Sequence, residues 1–105
     1  MPANNTFSLA IPCEHPCYVA HFPGNPIVPG ALLLQWVLRL LKQHYAHVRV
    51  SGLHTIKFLS VVKPGDDCRL AAVENATSTQ LKINLLCNGN PALKGVLDIE
   101  TFKNP

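Results

Sequence analysis

The residues whose types and spacing could do chemistry lie in one run, His21-Phe22-Pro23-Gly24-Asn25-Pro26-Ile27-Val28-Pro29-Gly30. Its three prolines fix φ and remove backbone donors, while its two glycines admit conformations closed to other residues. The run leads straight into Ala31-Leu32-Leu33-Leu34-Gln35-Trp36-Val37-Leu38-Arg39-Leu40-Leu41, a nearly all-apolar helix. So stiff a loop holds His21 in one fixed relation to the first helical N–H groups. A lone loop histidine usually does no more than tie down backbone groups. In this setting His21 is read as a catalytic or substrate-contacting side chain.

Two other constellations compete for the same stretch. Cys13, His15, Cys17 and His21 make a possible zinc set, but Cys-x-x-x-Cys with an intervening His-Pro is not a standard finger or ribbon spacing, and no metal is expected. Cys17 near His21 offers a thiol and a base, the pair a thioesterase would use; a small, partly buried side chain is the commoner role for such a cysteine. Cys13, Cys17, Cys68 and Cys87 are all expected to be free thiols, because the chain is read as cytoplasmic and cytosolic disulfides are uncommon.

The elements that must position the loop follow from periodicity. Phe7 to Ile11 alternates as a short strand stopped by Pro12. The helix is expected from Gly30 or Ala31 to His44 or Tyr45. Its polar Gln35, Arg39, Lys42 and Gln43 share one narrow stripe, so the rest should be surrounded by protein. Site-facing is the preferred reading of Gln35, and Trp36 is assigned to the core or a subunit interface. From His47 to Val62 the period becomes 2, with Val48, Val50, Ile56, Phe58 and Val62 on one face, and His54 falls on that apolar face as an interior histidine. Pro64-Gly65-Asp66 is a turn, Cys68-Leu70-Ala72 a strand, Leu81 to Cys87 another, Asn88-Gly89 a hairpin turn, and Leu93 to Ile99 the last strand.

One helix preceded by a short strand and followed by four antiparallel strands predicts a single α+β domain over residues 1–105, its curved sheet wrapped around the helix. Apolar residues make up 48% and charged residues 14% of the chain, a balance that points to a second subunit covering part of the surface. A net charge of +3 without a Lys/Arg run gives no nucleic-acid signature, and no apolar run is long enough to span a membrane. Arg39, Lys42 and Lys57 are read as solvated, with contact to an acidic partner protein as the lesser alternative.

From His21 to Gln35 the sequence resembles the hot-dog-fold (3R)-hydroxyacyl-[acyl carrier protein] dehydratases, whose signature is His-Phe-Pro-Gly-x-Pro-x-x-Pro-Gly followed by an apolar helix. Every fixed position of that signature is present. Lys63-Pro64-Gly65-Asp66 is similar to the same family, and Ile11-Pro12-Cys13-Glu14-His15-Pro16 is similar to its compact members. The resemblance implies a hot-dog dimer with acyl tunnels at the interface. Its substrate would be an acyl thioester on an acyl carrier protein, in fatty-acid-like or polyene synthesis, with no cofactor. It implies His21 as the base that takes the α-proton and the N–H of Gly30 or its neighbour as the group that polarises the thioester carbonyl. Phe22, Gly24, Pro29, Gly30 and Ala31 would shape the substrate site. The family's carboxylate falls on Gln35, which has similar shape but no titrating proton. Either His21 then serves as both base and acid, or a paralogous hot-dog subunit brings the missing carboxylate to a shared site; the partner is expected to be a second copy or such a paralogue. The alternatives are an acyl thioesterase and a non-catalytic subunit of a heterodimeric dehydratase.

Overall fold

A computed structural model describes residues 5–16 and 27–101 of the chain. Strand β1 (Asn5–Ala10) is followed by helix α1 (Gly30–His44), β2 (Val48–Phe58), β3 (Asp67–Glu74), β4 (Gln80–Cys87) and β5 (Asn90–Thr101). The strands form one antiparallel sheet in the order β1-β3-β4-β5-β2. These elements lie within a few residues of the bounds expected from the sequence, except that β2 stops at Phe58 and residues 59–62 cross over without strand structure.

Local chemistry explains the boundaries. Pro29 caps α1 with φ −60° and ψ 143°, an extended conformation its ring favours, and its carbonyl accepts from Leu33 N at 3.0 Å. Lys42 and His44 lie in the last turn, at the negative end of the helix dipole. Tyr45 then accepts from Val48 N at 2.9 Å and turns the chain into β2. Pro64-Gly65 makes a turn in which Asp66 N donates to the Lys63 carbonyl at 3.1 Å and Gly65 takes φ +82°. Asn88 and Gly89, at φ +52° and +82°, form the two-residue hairpin turn between β4 and β5.

The core lies between one stripe of α1 and one face of the sheet. Leu33, Val37 and Leu41 are buried against a layer that includes Leu70, Leu81, Ile83, Leu85, Leu93 and Leu97. Each such side chain contributes about 2 kcal/mol through removal of apolar surface from water. The flanks of α1 are not so covered: Leu32, Leu34, Trp36, Leu38 and Leu40 remain only partly buried. The expectation that protein surrounds the helix is thus met on one side by this chain. The sheet curves around the helix but does not close over it.

Two further expectations are corrected. Ser51 and His54 have no Cα partner on β5, because bulges fall between Val50 and Gly52 and between Leu53 and Thr55. His54 is therefore exposed rather than interior. Gly95 is required beneath the second bulge, where a Cβ would lie 2.7 Å from both the Thr55 carbonyl and Ile56 Cδ1. The cysteines are not all free either. Cys68 and Cys87 stand directly opposite each other across β3 and β4 and are joined in a disulfide, while Cys13 is a free, exposed thiol. Direct cross-strand placement brings the two side chains onto one face, which the linear spacing does not reveal. Cys17 lies outside the described residues.

Candidate active site

The site expected from sequence has two halves. His21, Phe22 and Gly24 lie outside the described residues; Pro29, Gly30, Ala31 and Gln35 lie within them at the start of α1. The loop's end is anchored by Val28, which is buried and donates from its N–H to the Val62 carbonyl at 2.8 Å. That bond ties the entrance of the helix to the crossover after β2.

The first turn of α1 is open electrostatically. Pro29 makes no side-chain cap and the turn holds no acidic residue. The N–H groups of Gly30, Ala31 and Leu32 therefore have no intrahelical acceptor and carry the positive end of the dipole. An oxygen gaining negative charge is stabilised there. Above this turn lies the half-exposed Phe58, at the end of β2. A Cβ on Gly30 would sit 3.0 Å from Phe58 Cε1 and 3.1 Å from Cζ, so glycine is what lets the ring rest on the helix start. This contact escapes a linear reading. Its only sequence signal is a glycine, a poor helix former, heading an otherwise strong helix.

Gln35 stands five residues beyond Gly30, about 7.5 Å along the axis at 1.5 Å per residue. It is exposed in the single chain, on the stripe that also carries Ala31 and Arg39. The stripe read from sequence is thus the exposed stripe of the helix, and the carboxamide points away from its own chain's core. Trp36 is half-buried, with His15 set edge-on to its ring at a 5.7 Å centroid separation. Farther along, α1 and the start of β2 enclose a groove of about 470 Å³, lined by Leu38, Leu41, Tyr45, Val48 and Val50 among others. It is mainly apolar and suits a hydrocarbon chain rather than a polar ligand. Among the described residues no three His, Cys, Asp or Glu side chains gather as a metal site, and no helix is long and apolar enough to cross a membrane.

With this geometry in view, comparison with known proteins places the chain. The model of the ApeI-like family, described as ApeI dehydratase, matches residues 2–96. The 3-hydroxyacyl-[acyl-carrier-protein] dehydratase FabZ of Chloroflexus aggregans is 35% identical over 68 residues, covering 57% of this chain and 47% of the relative. The chain spans about half the length of such relatives. Among solved structures, the dehydratase heterocomplex ApeI:P from Xenorhabdus doucetiae matches with a TM-score of 0.74 at 18% identity, covering 94% of this chain and 97% of that one. An acyl-CoA hydrolase from Staphylococcus aureus matches with a TM-score of 0.67 at 13% identity, covering 96% and 64%. At these identities the structures establish the fold, which is the hot-dog fold. With nearly the whole chain matched by one family model, the chain belongs to the ApeI-like dehydratase family.

Proposed function

We propose that this protein is a hot-dog subunit of a dehydratase acting on 3-hydroxyacyl thioesters carried by an acyl carrier protein, and that its own site lacks the acid. The observation that carries this reading is the pairing of an uncapped helix start, Pro29-Gly30-Ala31, with glutamine where the resembled family places its carboxylate. The thioester carbonyl binds at the N–H groups of the first turn, which have no acceptor within the helix. His21 takes the proton from C2, the C2–H electron pair becomes the C2–C3 double bond, and the C3–O bond breaks. The hydroxyl leaves as water, taking its proton from a partner subunit's carboxylic acid or, more slowly, from His21 protonated in the first step. Gln35 can hold that hydroxyl by hydrogen bonds but cannot supply the proton. A general acid contributes 10²–10⁴-fold, so the homodimer alone should be slow.

The functional unit in this reading is a dimer. The partly covered flanks of α1 and the exposed Leu53, Phe58, Leu59 and Val61 together support a second subunit on this side. Gln35 lies on the exposed stripe of the same helix, where a partner's carboxylate can reach it. That placement also favours a second reading, in which this subunit completes a paralogue's site and does no chemistry itself. We place the activity in the cytoplasm; the Cys68–Cys87 disulfide, uncommon in that compartment, counts against the placement.

The test is to follow enoyl-thioester formation from a 3-hydroxyacyl carrier substrate with the protein alone, with Gln35→Glu, and with a carboxylate-bearing hot-dog paralogue. Acceleration in the last two supports the incomplete site. Release of free acid instead of enoyl product would make the protein a thioesterase.

A further inference from the structure

The outer face of the sheet carries its charges at two separate ends. Along β5 the outward residues run Lys94, Val96, Asp98, Glu100, while Gly95, Leu97 and Ile99 between them are buried. The acidic end is internally compensated. Asp98 accepts from Gln80 Nε2 at 3.3 Å, Glu100 pairs with Arg49, and Glu74 is engaged by Ser78 and by His47.

The basic end is not compensated. Lys57 on β2 lies directly opposite Lys94 on β5, and Lys82 on β4 lies opposite Val96, one step along. Like charges placed directly opposite are unfavourable within a sheet. None of the three lysines makes an ion pair or side-chain hydrogen bond among the described residues. Together with Thr55, Gly95 and Val96 they line a hollow of about 110 Å³. Three lysines from three neighbouring strands thus line one small concavity whose lining holds no carboxylate; the adjoining hollow, which Lys82 also lines, is bordered by Glu74.

Position ties this hollow to the reacting end of the molecule. Lys57 immediately precedes Phe58, and neighbours on a strand point to opposite faces. Phe58 rests on Gly30 at the helix start while Lys57 points outward into the hollow. The two are back to back at the end of β2, separated by roughly the 10 Å thickness of a sheet layer. A group on a long flexible arm can round that end.

We propose that the Lys57–Lys82–Lys94 hollow is the docking surface for the acidic face of the protein that carries the acyl thioester, with a carboxylate seated among the three ammonium groups. The inference rests on the dehydratase reading for the identity of the partner, and its partner chemistry rests on the uncompensated charge. Such contacts act mainly on encounter and weaken with salt.

The experiment compares wild type with Lys57→Glu/Lys82→Glu/Lys94→Glu in two assays. In the first, a fluorescently labelled holo-acyl carrier protein is titrated with the full-length protein and anisotropy is read at low and moderate salt, so that no turnover is needed. Docking at the hollow predicts at least about a tenfold loss of affinity in the variant and a loss of most of the salt dependence. In the second, dehydration is measured on a 3-hydroxyacyl carrier protein and on the same acyl group carried by N-acetylcysteamine. The carrier KM should rise about tenfold while kcat and the small-thioester rate stay unchanged. Unchanged carrier binding overturns the proposal, as does an equal loss on both substrates. Tighter binding of wild type to a short RNA than to the carrier would assign the hollow to nucleic acid and also overturn it. If neither substrate is turned over even with a carboxylate-bearing hot-dog paralogue added, the dehydratase reading fails, and the anisotropy arm still decides the docking surface. Should the reversed variant not fold, the neutral Lys57→Gln/Lys82→Gln/Lys94→Gln protein gives the same comparison with a smaller expected shift.

Discussion

At the β1 edge of the sheet the chain finishes its own surface; at the β2 edge it does not. Strand β1 is six residues long, buries Leu9 opposite Cys68, and is closed over by Phe7 stacked on His44 at 4.1 Å with Tyr45 edge-on. Behind it the Cys68–Cys87 disulfide ties β3 to β4. Strand β2 is eleven residues long, bulged twice, and leaves Leu53 and Phe58 about half exposed beside the partly bare helix. Short, capped edges discourage further association, whereas long apolar edges invite it. The difference teaches that the chain completes one side of its fold and not the other: one side is a closed core, and the other is an unfinished surface that includes the helix start and Gln35.

The contrast can be broken in stages. The largest effect should come from His21→Ala, which removes the proposed base from the segment that leads into α1. We expect turnover of 3-hydroxyacyl or enoyl thioesters to fall by about 100-fold or more, with thermal stability nearly unchanged. Activity retained within a few-fold would remove His21 from the chemistry. On the closed side, Cys68→Ala/Cys87→Ala should cost about 2–3 kcal/mol of stability, seen as a lower denaturation midpoint, and leave the oligomeric state as it was. Wild type in strong reductant should lose stability in the same direction. A smaller effect is expected from Leu53→Asp at the open edge. It should raise the dimer dissociation constant by about tenfold in sedimentation, as burial of a charged group in an interface would. An unchanged dimer would place the subunit contact elsewhere.

How much of this contrast the sequence made legible depends on distance along the chain. The limits of α1 were readable because Pro29, Gly30 and the apolar run are local signals, and so were the turns at Pro64-Gly65 and Asn88-Gly89. The bulges at Ser51 and His54 were not. Two extra residues shift the alternation twice and restore it at Ile56 and Phe58, so the even positions still look continuous. The disulfide and the Phe58–Gly30 contact depend on register across the sheet and on how β2 returns along the helix, information that no short window holds. For the site, Gly30 and Gln35 were correctly placed on the first turns of the helix. The exposure of Gln35 in the single chain was not foreseen, because a stripe of polar residues cannot say whether solvent or a partner faces it.

The central claim is that the open side lacks only a carboxylate. It is tested most directly by the dehydration rate of Gln35→Glu as a homodimer, measured beside wild type on the same 3-hydroxyacyl carrier substrate. Glutamate keeps the side-chain length and adds a group that can hold a proton, and burial beneath a second subunit favours the protonated form against the opposing pull of the helix start. The account predicts a rise of at least about tenfold, with wild type reaching that rate only when a carboxylate-bearing partner is added. A wild-type homodimer that already turns over rapidly, with no change in Gln35→Glu, would contradict it.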